Sequence, residues 1–364
     1  MITLTEIADP ETIGPAWRAL EQQVSCSFFQ SWIWTGCLAK ERFRSPVLLQ
    51  ARQGDRITAL ALFNKGRGLV LGESGSPKLD SPYIEHNGML GDFSHDPGLL
   101  LECLHHSRRA ARRLVMSGVD QTHLDLARKA GGVVVVRQVS PAPWLDLAEL
   151  RARCVGFLDT LSANTRYQVR RSHRFFSHLG PLRLRRAETE AEARSYLASL
   201  ATLHQASWAR RGQPGAFADP FFRRFHENLI HRGFREDVID LLRITAGSTT
   251  VGFLYNFRYR GRVYAYQSGL NYDLDSAHAK PGLTCHTLAI EAYLGEGLLS
   301  YDFLAGDDRY KTSLASRCTD LHWVTVEPWW SFRGLMWRFK DRGWVNPIIR
   351  KTSDSFTRLP TSSR

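Results

Sequence analysis

V-I-D-L-L-R-I-T-A-G-S-T-T-V-G-F-L-Y-N-F-R-Y-R-G-R-V-Y-A-Y-Q-S-G-L, residues Val238–Leu270, is the stretch whose reading decides the fold class. Apolar and polar residues alternate with a period of two, the signature of half-buried strands. Ala246-Gly247-Ser248 and Arg260-Gly261 interrupt it with turn residues. The spacing therefore predicts three strands, Val238–Thr245, Thr250–Tyr259 and Arg262–Leu270, joined as an antiparallel meander. A loop, Asn271–Lys280, leads to a helix that starts at Pro281-Gly282 and runs to about Glu296, and the strand Leu299–Leu304 follows. A helix between two strands is a crossover, which makes its flanking strands parallel neighbours. The fold class that results is α/β.

Outward from this core, the chain reads as alternating elements. Upstream lie a short strand, Leu182–Arg186, and helices over Glu188–Ala209 and Pro220–His231. Before them Arg151–Ser177 reads as one long helix, rich in arginine, that stops at Gly180-Pro181. The N-terminal half carries helices over Glu11–Gln22 and Ser31–Glu41, strands over Pro46–Ala51, Arg56–Phe63 and Leu69–Leu71, a helix over Pro97–Val115 and a strand over Val133–Val139. Downstream come a short helix, a strand over Leu321–Val326, and a basic amphipathic tail from Trp329. In that tail Phe332, Leu335, Met336 and Phe339 recur at helical spacing. Three regions result: 1–150, 151–327 with its basic inter-domain helix 151–178, and 328–364. Both large regions share an order of helices, paired strands, a long helix and a closing strand, which fits a degenerate duplication.

The bulk numbers bound the chemistry. At 364 residues the chain is long for one core. It is 43% hydrophobic and 23% charged, ordinary for a globular protein. The net charge of +12 comes mostly from 40 arginines against 8 lysines, which suits an anionic partner through the planar guanidinium fork. The six cysteines form no C-x-x-C pair and no zinc spacing, so no metal is expected. Met1–Pro10 lacks the pattern of a secretory signal, and the expected location is cytoplasmic. Peripheral contact with the inner membrane face through 329–344 is a further expectation, since a basic helix with tryptophans suits an anionic surface.

Residues Tyr301–Lys311, Y-D-F-L-A-G-D-D-R-Y-K, end the last crossover strand in two carboxylates, a phenol and an ammonium. Groups just past a strand end are aimed by a rigid element into a crevice. Asp302, inside the strand, and Asp307, at its end, are the candidate bases; Tyr310 is the candidate proton donor and Lys311 a candidate partner for a phosphate or an oxyanion. A Lys311–Asp307 salt bridge is the competing reading of that pair. The start of the crossover helix, Lys280, Pro281, Gly282, Leu283 and Thr284, offers unpaired amides, a positive dipole end and an ammonium to an anionic donor. Alternation puts Tyr264, Tyr266 and Ser268 on one face, where Tyr266 and Ser268 line an acceptor groove or simply pack. Trp208, beside Arg210 and Arg211, suits a sugar or phosphate. Arg166 and Arg170 on the long helix could hold an anionic acceptor or tRNA, or form a solvated face. His286, one turn into the crossover helix, reads more readily as a packed residue than as a catalyst.

Several of these stretches resemble the GNAT-like acyltransferases, in particular the CelD-like branch, which is related in architecture to the Fem-type aminoacyl-transferases. The likeness is carried by Phe29-Gln30-Ser31-Trp32-Ile33-Trp34, by Leu161–Arg166 with Arg170-Arg171, by Tyr272-Asp273, by Pro281-Gly282-Leu283, and by Tyr301-Asp302-Phe303 with Gly306-Asp307 and Tyr310-Lys311; it covers about residues 25–326. It implies two tandem GNAT-type modules, with mixed, mostly antiparallel sheets and flanking helices, the first degenerate and the second catalytic. It also implies acyl-CoA, such as acetyl-CoA, as donor and an amine or hydroxyl acceptor such as a cell-envelope sugar or polysaccharide precursor. Aminoacyl-tRNA is the alternative donor, and a non-catalytic scaffold the alternative role. The sequence departs from the common pattern in one place. The glycine-rich R/Q-x-x-G-x-G/A loop is replaced by Ala279-Lys280-Pro281-Gly282-Leu283-Thr284.

Overall fold

The computed structural model of the chain describes residues 1–76, 79–80, 84–274 and 276–330. In chain order its elements are β1 (Ile2–Glu6), α1 (Gly14–Glu21), α2 (Trp32–Arg42), β2 (Pro46–Gln53), β3 (Arg56–Lys65), β4 (Leu69–Leu71), β5 (Leu90–Gly91), α3 (Pro97–Ala110), β6 (Leu114–Val119), α4 (Gln121–Lys129) and β7 (Val133–Asp146). Then follow α5 (Leu147–Ala152), α6 (Phe157–Thr160), α7 (Ala163–His178), β8 (Leu182–Arg186), α8 (Glu190–Ala209), α9 (Pro220–Gly233), β9 (Ile239–Ala246), β10 (Thr249–Tyr259), β11 (Arg262–Leu270), α10 (Pro281–Gly295), β12 (Ser300–Asp302), α11 (Arg309–Leu314) and β13 (Arg317–Glu327). They form two compact units. One comprises Met1–Ser140 with the described residues from Asp320 on; the other comprises Pro141–Thr319.

The two units have the same topology. In the first the strand order is β1-β2-β3-β4-β6-β13, antiparallel throughout except for parallel β4–β6. In the second it is β8-β9-β10-β11-β12-β7, antiparallel throughout except for parallel β11–β12. Each parallel pair is bridged by one helix, α3 or α10. Both helices open on the same three residues: Asp96 precedes Pro97-Gly98-Leu99, and Lys280 precedes Pro281-Gly282-Leu283. The duplication is therefore legible in both strand order and local sequence.

In the second unit one face of the sheet (Leu242, Leu254, Val263) buries against Val169 and Phe176 of α7 and Ile290 and Tyr293 of α10. The other face packs on α8, where Tyr196 meets Phe253 at 5.4 Å, and on α9, where His226 meets Tyr266 at 5.0 Å. A fully buried side chain of this size contributes ~1.5–3 kcal/mol. Such packing, rather than propensity, holds α10, whose sequence includes Gly282, Thr284, Cys285 and Thr287. The first unit is built alike. Leu49 and Phe63 pack on Leu100 and Leu104 of α3, and Leu60 and Leu62 pack on Trp17 and Trp32.

The meander, the crossover helix and β8 stand where the sequence puts them. Other expectations are corrected. The single helix over Arg151–Ser177 is three helices, α5, α6 and α7. Cys154 turns into the left-handed region (φ 52), Gly156 is extended, and the Ser162 hydroxyl caps α7 by accepting from Thr165 N at 3.2 Å. The helix expected over Pro97–Val115 ends at Ala110, and Leu114–Val119 is a buried strand. The shared face expected for Tyr264, Tyr266 and Ser268 is broken by a bulge. Gln267 pairs with Tyr255 and Ala265 with Asn256, which leaves Tyr266 as the extra residue. Ser268 falls opposite core residue Leu254, while Tyr266 faces the α9 aromatics. Of the aromatic tail, Trp329 and Trp330 are exposed, and 331–364 lie outside the described residues.

Candidate active site

The parallel neighbours β11 and β12 part company. They pair at Arg262↔Ser300, Val263↔Tyr301 and Tyr264↔Asp302, and the register stops there. Beyond it the β12 chain stays with the end of β7, since Phe303 N and Gly306 N donate to Pro143 O (3.0 Å) and Pro141 O (2.8 Å). β11 instead runs on to Leu270 along β10. Ala265, Tyr266, Gln267 and Ser268 are only half-buried although they belong to an interior strand. The divergence is thus a notch on the sheet, with the bulge at Tyr266 on its β11 wall.

Helix α10 is fixed at both ends. At its start Ser172 of α7, fully buried, accepts from Lys280 N at 3.0 Å and lies 2.8 Å from the Thr284 hydroxyl. Arg171 donates to Ala277 O at 3.4 Å in the loop before it. Near its end the Tyr293 hydroxyl donates to buried Asp240 at 2.8 Å and accepts from Asn256 at 2.8 Å, while Arg186 closes on the other Asp240 oxygen at 2.8 Å.

The first turn of α10 is left open. Its N-cap is Lys280, whose side chain makes no cap bond, and the turn contains no acidic residue. Pro281 has no amide hydrogen. Among the described residues, no acceptor meets the amides of Gly282 and Leu283; the first amide to close the helix is Thr284 N, on Lys280 O at 3.1 Å. Two free donors, a positive dipole end and an ammonium therefore coincide. The equivalent start of α3 in the first unit is closed. There Asp96 supplies a carboxylate that accepts from Leu99 N at 2.9 Å, and its charge repels a second anion.

On the β12 wall the chain turns sharply. Leu304 (φ 61) and Gly306 (φ 142) both take left-handed backbone, and a Cβ on Gly306 would lie 2.9 Å from Lys311 Nζ. Asp302 is buried and accepts from Leu304 N at 2.7 Å. The ammonium of Lys311 donates to the carbonyls of Ala305 (2.8 Å) and Leu304 (3.4 Å), which locks the turn. Asp307 is exposed and Asp308 half-buried at the N-cap of α11. Tyr310 is half-buried, and burial, then the Asp308 carboxylate and the Tyr272 phenol, push its phenol well above the ordinary value. Burial raises Tyr272 too, an effect that Arg211 opposes and Cys285 and Asp308 reinforce.

The α8 end supplies the remaining groups. Trp208 Nε1 donates to His204 at 2.9 Å, which burial pushes down to about 4, so the imidazole stays a neutral acceptor. Arg211 lies 5.5 Å over the Trp208 ring, and Arg210 is ion-paired to Asp273 beside Tyr272. Trp208, Arg211, Tyr272, Asp308 and Tyr310 thus form one neighbourhood. Of the arginines on α7, Arg166 is ion-paired to Asp159 at 3.6 Å, whereas Arg170 is exposed. Sequence reasoning missed Ser172, because a buried helical serine carries no local signal. A groove of about 860 Å³ lies on the first unit, lined by Leu101, Glu102, His105, His106, Arg109 and Lys129. Arg109 and Lys129 sit in the last turns of α3 and α4, where the helix dipole already accounts for them, so the notch is the better site.

Residues 163–312 match the family described as an acetyltransferase (GNAT) domain. No curated protein matches the sequence. Among solved structures, FemX resembles the chain with a TM-score of 0.59 at 10% identity, covering 88% of this chain and 96% of that one. L-PGS from Bacillus licheniformis does so with a TM-score of 0.56 at 13% identity, covering 92% and 96%. The C-terminal domain of a putative lysylphosphatidylglycerol synthetase from Agrobacterium fabrum does so with a TM-score of 0.56 at 10% identity, covering 91% and 95%. At such identities the likeness is one of fold. The second unit carries a GNAT-type acyltransferase fold, and the notch with its free helix start lies inside the matched stretch.

Proposed function

We propose that the second unit transfers an acyl group from a CoA thioester to an amine or hydroxyl acceptor. The observation that carries this reading is the open first turn of α10 beside the β11–β12 notch: the donor's pyrophosphate would rest on Gly282 N, Leu283 N and the Lys280 ammonium. The acyl arm would then run along β11. The acceptor would enter from the side of Trp208, Arg211 and Tyr272, a ring-and-guanidinium pair that suits a sugar-bearing or phosphorylated precursor such as those of the cell envelope. Exposed Asp307 takes the proton from the attacking nitrogen or oxygen. The new bond forms to the carbonyl carbon as the carbon–sulfur bond breaks. Tyr310, held protonated, donates a hydrogen bond to the charge developing on sulfur, and the released thiolate takes its proton from solvent. Lys311 keeps the turn that carries Asp307 and Tyr310 in place. Acetyl-CoA titrated into the protein should raise its melting temperature in a concentration-dependent way, and desulfo-CoA should do the same. No shift with either up to millimolar concentration sinks the reading.

A second reading, aminoacyl-tRNA as donor, is favoured by one observation. Helix α7, Ala163–His178, contains no acidic residue, and Arg170 and Arg174 on it are exposed. It predicts tRNA binding whose affinity falls steeply with salt and falls again in Arg170→Ala with Arg174→Ala.

A further inference from the structure

His286 takes no part in the transfer chemistry above, yet it is a buried, closely packed ionisable group near the notch. It lies one turn into α10 and is 2% exposed. Its Nδ1 is 2.8 Å from the Tyr301 hydroxyl, its ring stacks on Tyr310 (centroids 5.2 Å apart, planes inclined 22°), and Phe303 meets it edge-on at 5.7 Å. Its Nε2 is buried with no partner among the described residues. Leaving a buried polar atom unbonded costs ~1–3 kcal/mol, and a leucine or phenylalanine here would avoid that cost. The groups that face it are Tyr301, Phe303, Tyr310 and, by its charge, Lys311.

We propose that His286 is a positioning residue: a flat, buried platform, tethered through Nδ1 to Tyr301, that holds the Tyr310 phenol over the notch and keeps water from beneath it. Burial first and the Lys311 charge second push the imidazole down to about 3, so the platform does not ionise while the enzyme works. A cation stacked there would pull Tyr310 toward phenolate and remove its donated hydrogen. This assignment rests on the acyl-transfer reading for its kinetic consequence, but the packing claim can be read without turnover.

The test uses the full chain in four forms: wild type, His286→Leu, Tyr310→Phe and the double variant. With acetyl-CoA and an amine acceptor, His286→Leu should lower kcat at least thirtyfold with KM for acetyl-CoA within twofold, and in the Tyr310→Phe background it should add no further loss. His286→Phe, which keeps the flat ring, should retain kcat within about fivefold. Independent losses that multiply in the double variant, or an unchanged kcat in His286→Leu, overturn the proposal. Carbon NMR of labelled tyrosine supplies the arm that needs no activity. At neutral pH the Tyr310 ring-carbon lines should shift toward their free-tyrosine positions in His286→Leu and keep their wild-type positions in His286→Phe, and unchanged lines in His286→Leu overturn the positioning claim. If wild type transfers nothing while the NMR shift appears, the functional reading fails and the platform stands.

Discussion

At the scale of single residues, the contrast between Lys280 and Asp96 carries the most weight. Both precede Pro-Gly-Leu at the start of a crossover helix, so fold and local backbone are matched and only the charge differs. Asp96 closes its helix with its own carboxylate; Lys280 leaves two amides open. Lys280→Asp should therefore convert the second start into the first and weaken acetyl-CoA binding at least tenfold, about 1.4 kcal/mol, by calorimetric titration. Binding unchanged in that variant would remove the helix start from the donor site. Asp307→Asn tests the base. Because the side chain is exposed, its melting temperature should stay within a degree or two of wild type, while kcat falls about a hundredfold or more. Wild-type turnover would take Asp307 out of the mechanism. The cluster from Asp302 to Lys311 was visible in the sequence because acidic residues crowd the end of an apolar run. The use of the Lys311 ammonium on two backbone carbonyls was not, because it follows from the left-handed turn at Leu304, which no propensity predicts.

At the scale of elements, the site depends on α10 being held still while the strands on either side of it diverge. Ser172 is the link. One buried hydroxyl joins α7 to Lys280 N and Thr284 Oγ1, at the turn that would bear the donor. Ser172→Ala should cost the second unit ~1–3 kcal/mol in urea unfolding, because the groups left behind are buried. It should also weaken acetyl-CoA binding more than it slows transfer from bound donor. A variant with full stability would show that the clamp is idle. The legibility of the elements follows from how local their causes are. The meander and α10 were readable because period-two alternation, Gly turns and a Pro-Gly start are all local signals. The break of 151–178 was not, because Cys154 has no intrinsic preference for the left-handed region; the turn is closed by backbone bonds, Cys154 N to Arg151 O at 3.0 Å and Val155 N to Leu150 O at 3.2 Å. Leu114 and Val115, the start of the strand Leu114–Val119, merged into the preceding helix since a short apolar run has the same appearance in either structure. The bulge at Tyr266 reversed the face of Ser268 for a related reason: one inserted residue flips everything beyond it, and the sequence on either side still alternates.

At the scale of the whole molecule, the shared topology hides opposite electrostatic designs. The first unit buries Glu73, whose carboxyl burial pushes up to about 8, with Asp80 adding to the rise and Ser117, Arg137 and Arg42 opposing it. Its native state keeps a proton that the unfolded chain releases above an ordinary carboxyl value near 4.5, so this contribution to stability is lost as pH rises from about 4.5 to 8. The second unit buries His286 and His204 as neutral rings, pushed down to about 3 and about 4. There the unfolded chain gains protons below about 6.5 that the native rings refuse, so stability falls as pH drops from about 6.5 toward 4. Hydrogen exchange followed by mass spectrometry, corrected for intrinsic rates, reads the units separately. Core amides of β2 and β3 should lose protection between pH 5 and 8, and those of β9 and β10 between pH 6.5 and 5. Glu73→Gln should flatten the first dependence without touching the second, since the amide keeps the shape and has no proton to release. If Glu73→Gln leaves the first unit's profile as steep as before, Glu73 ionises normally in the folded chain. Its burial would then be met as a charged carboxylate by Arg42 and Arg137, and another group of the first unit would carry the loss of stability with rising pH.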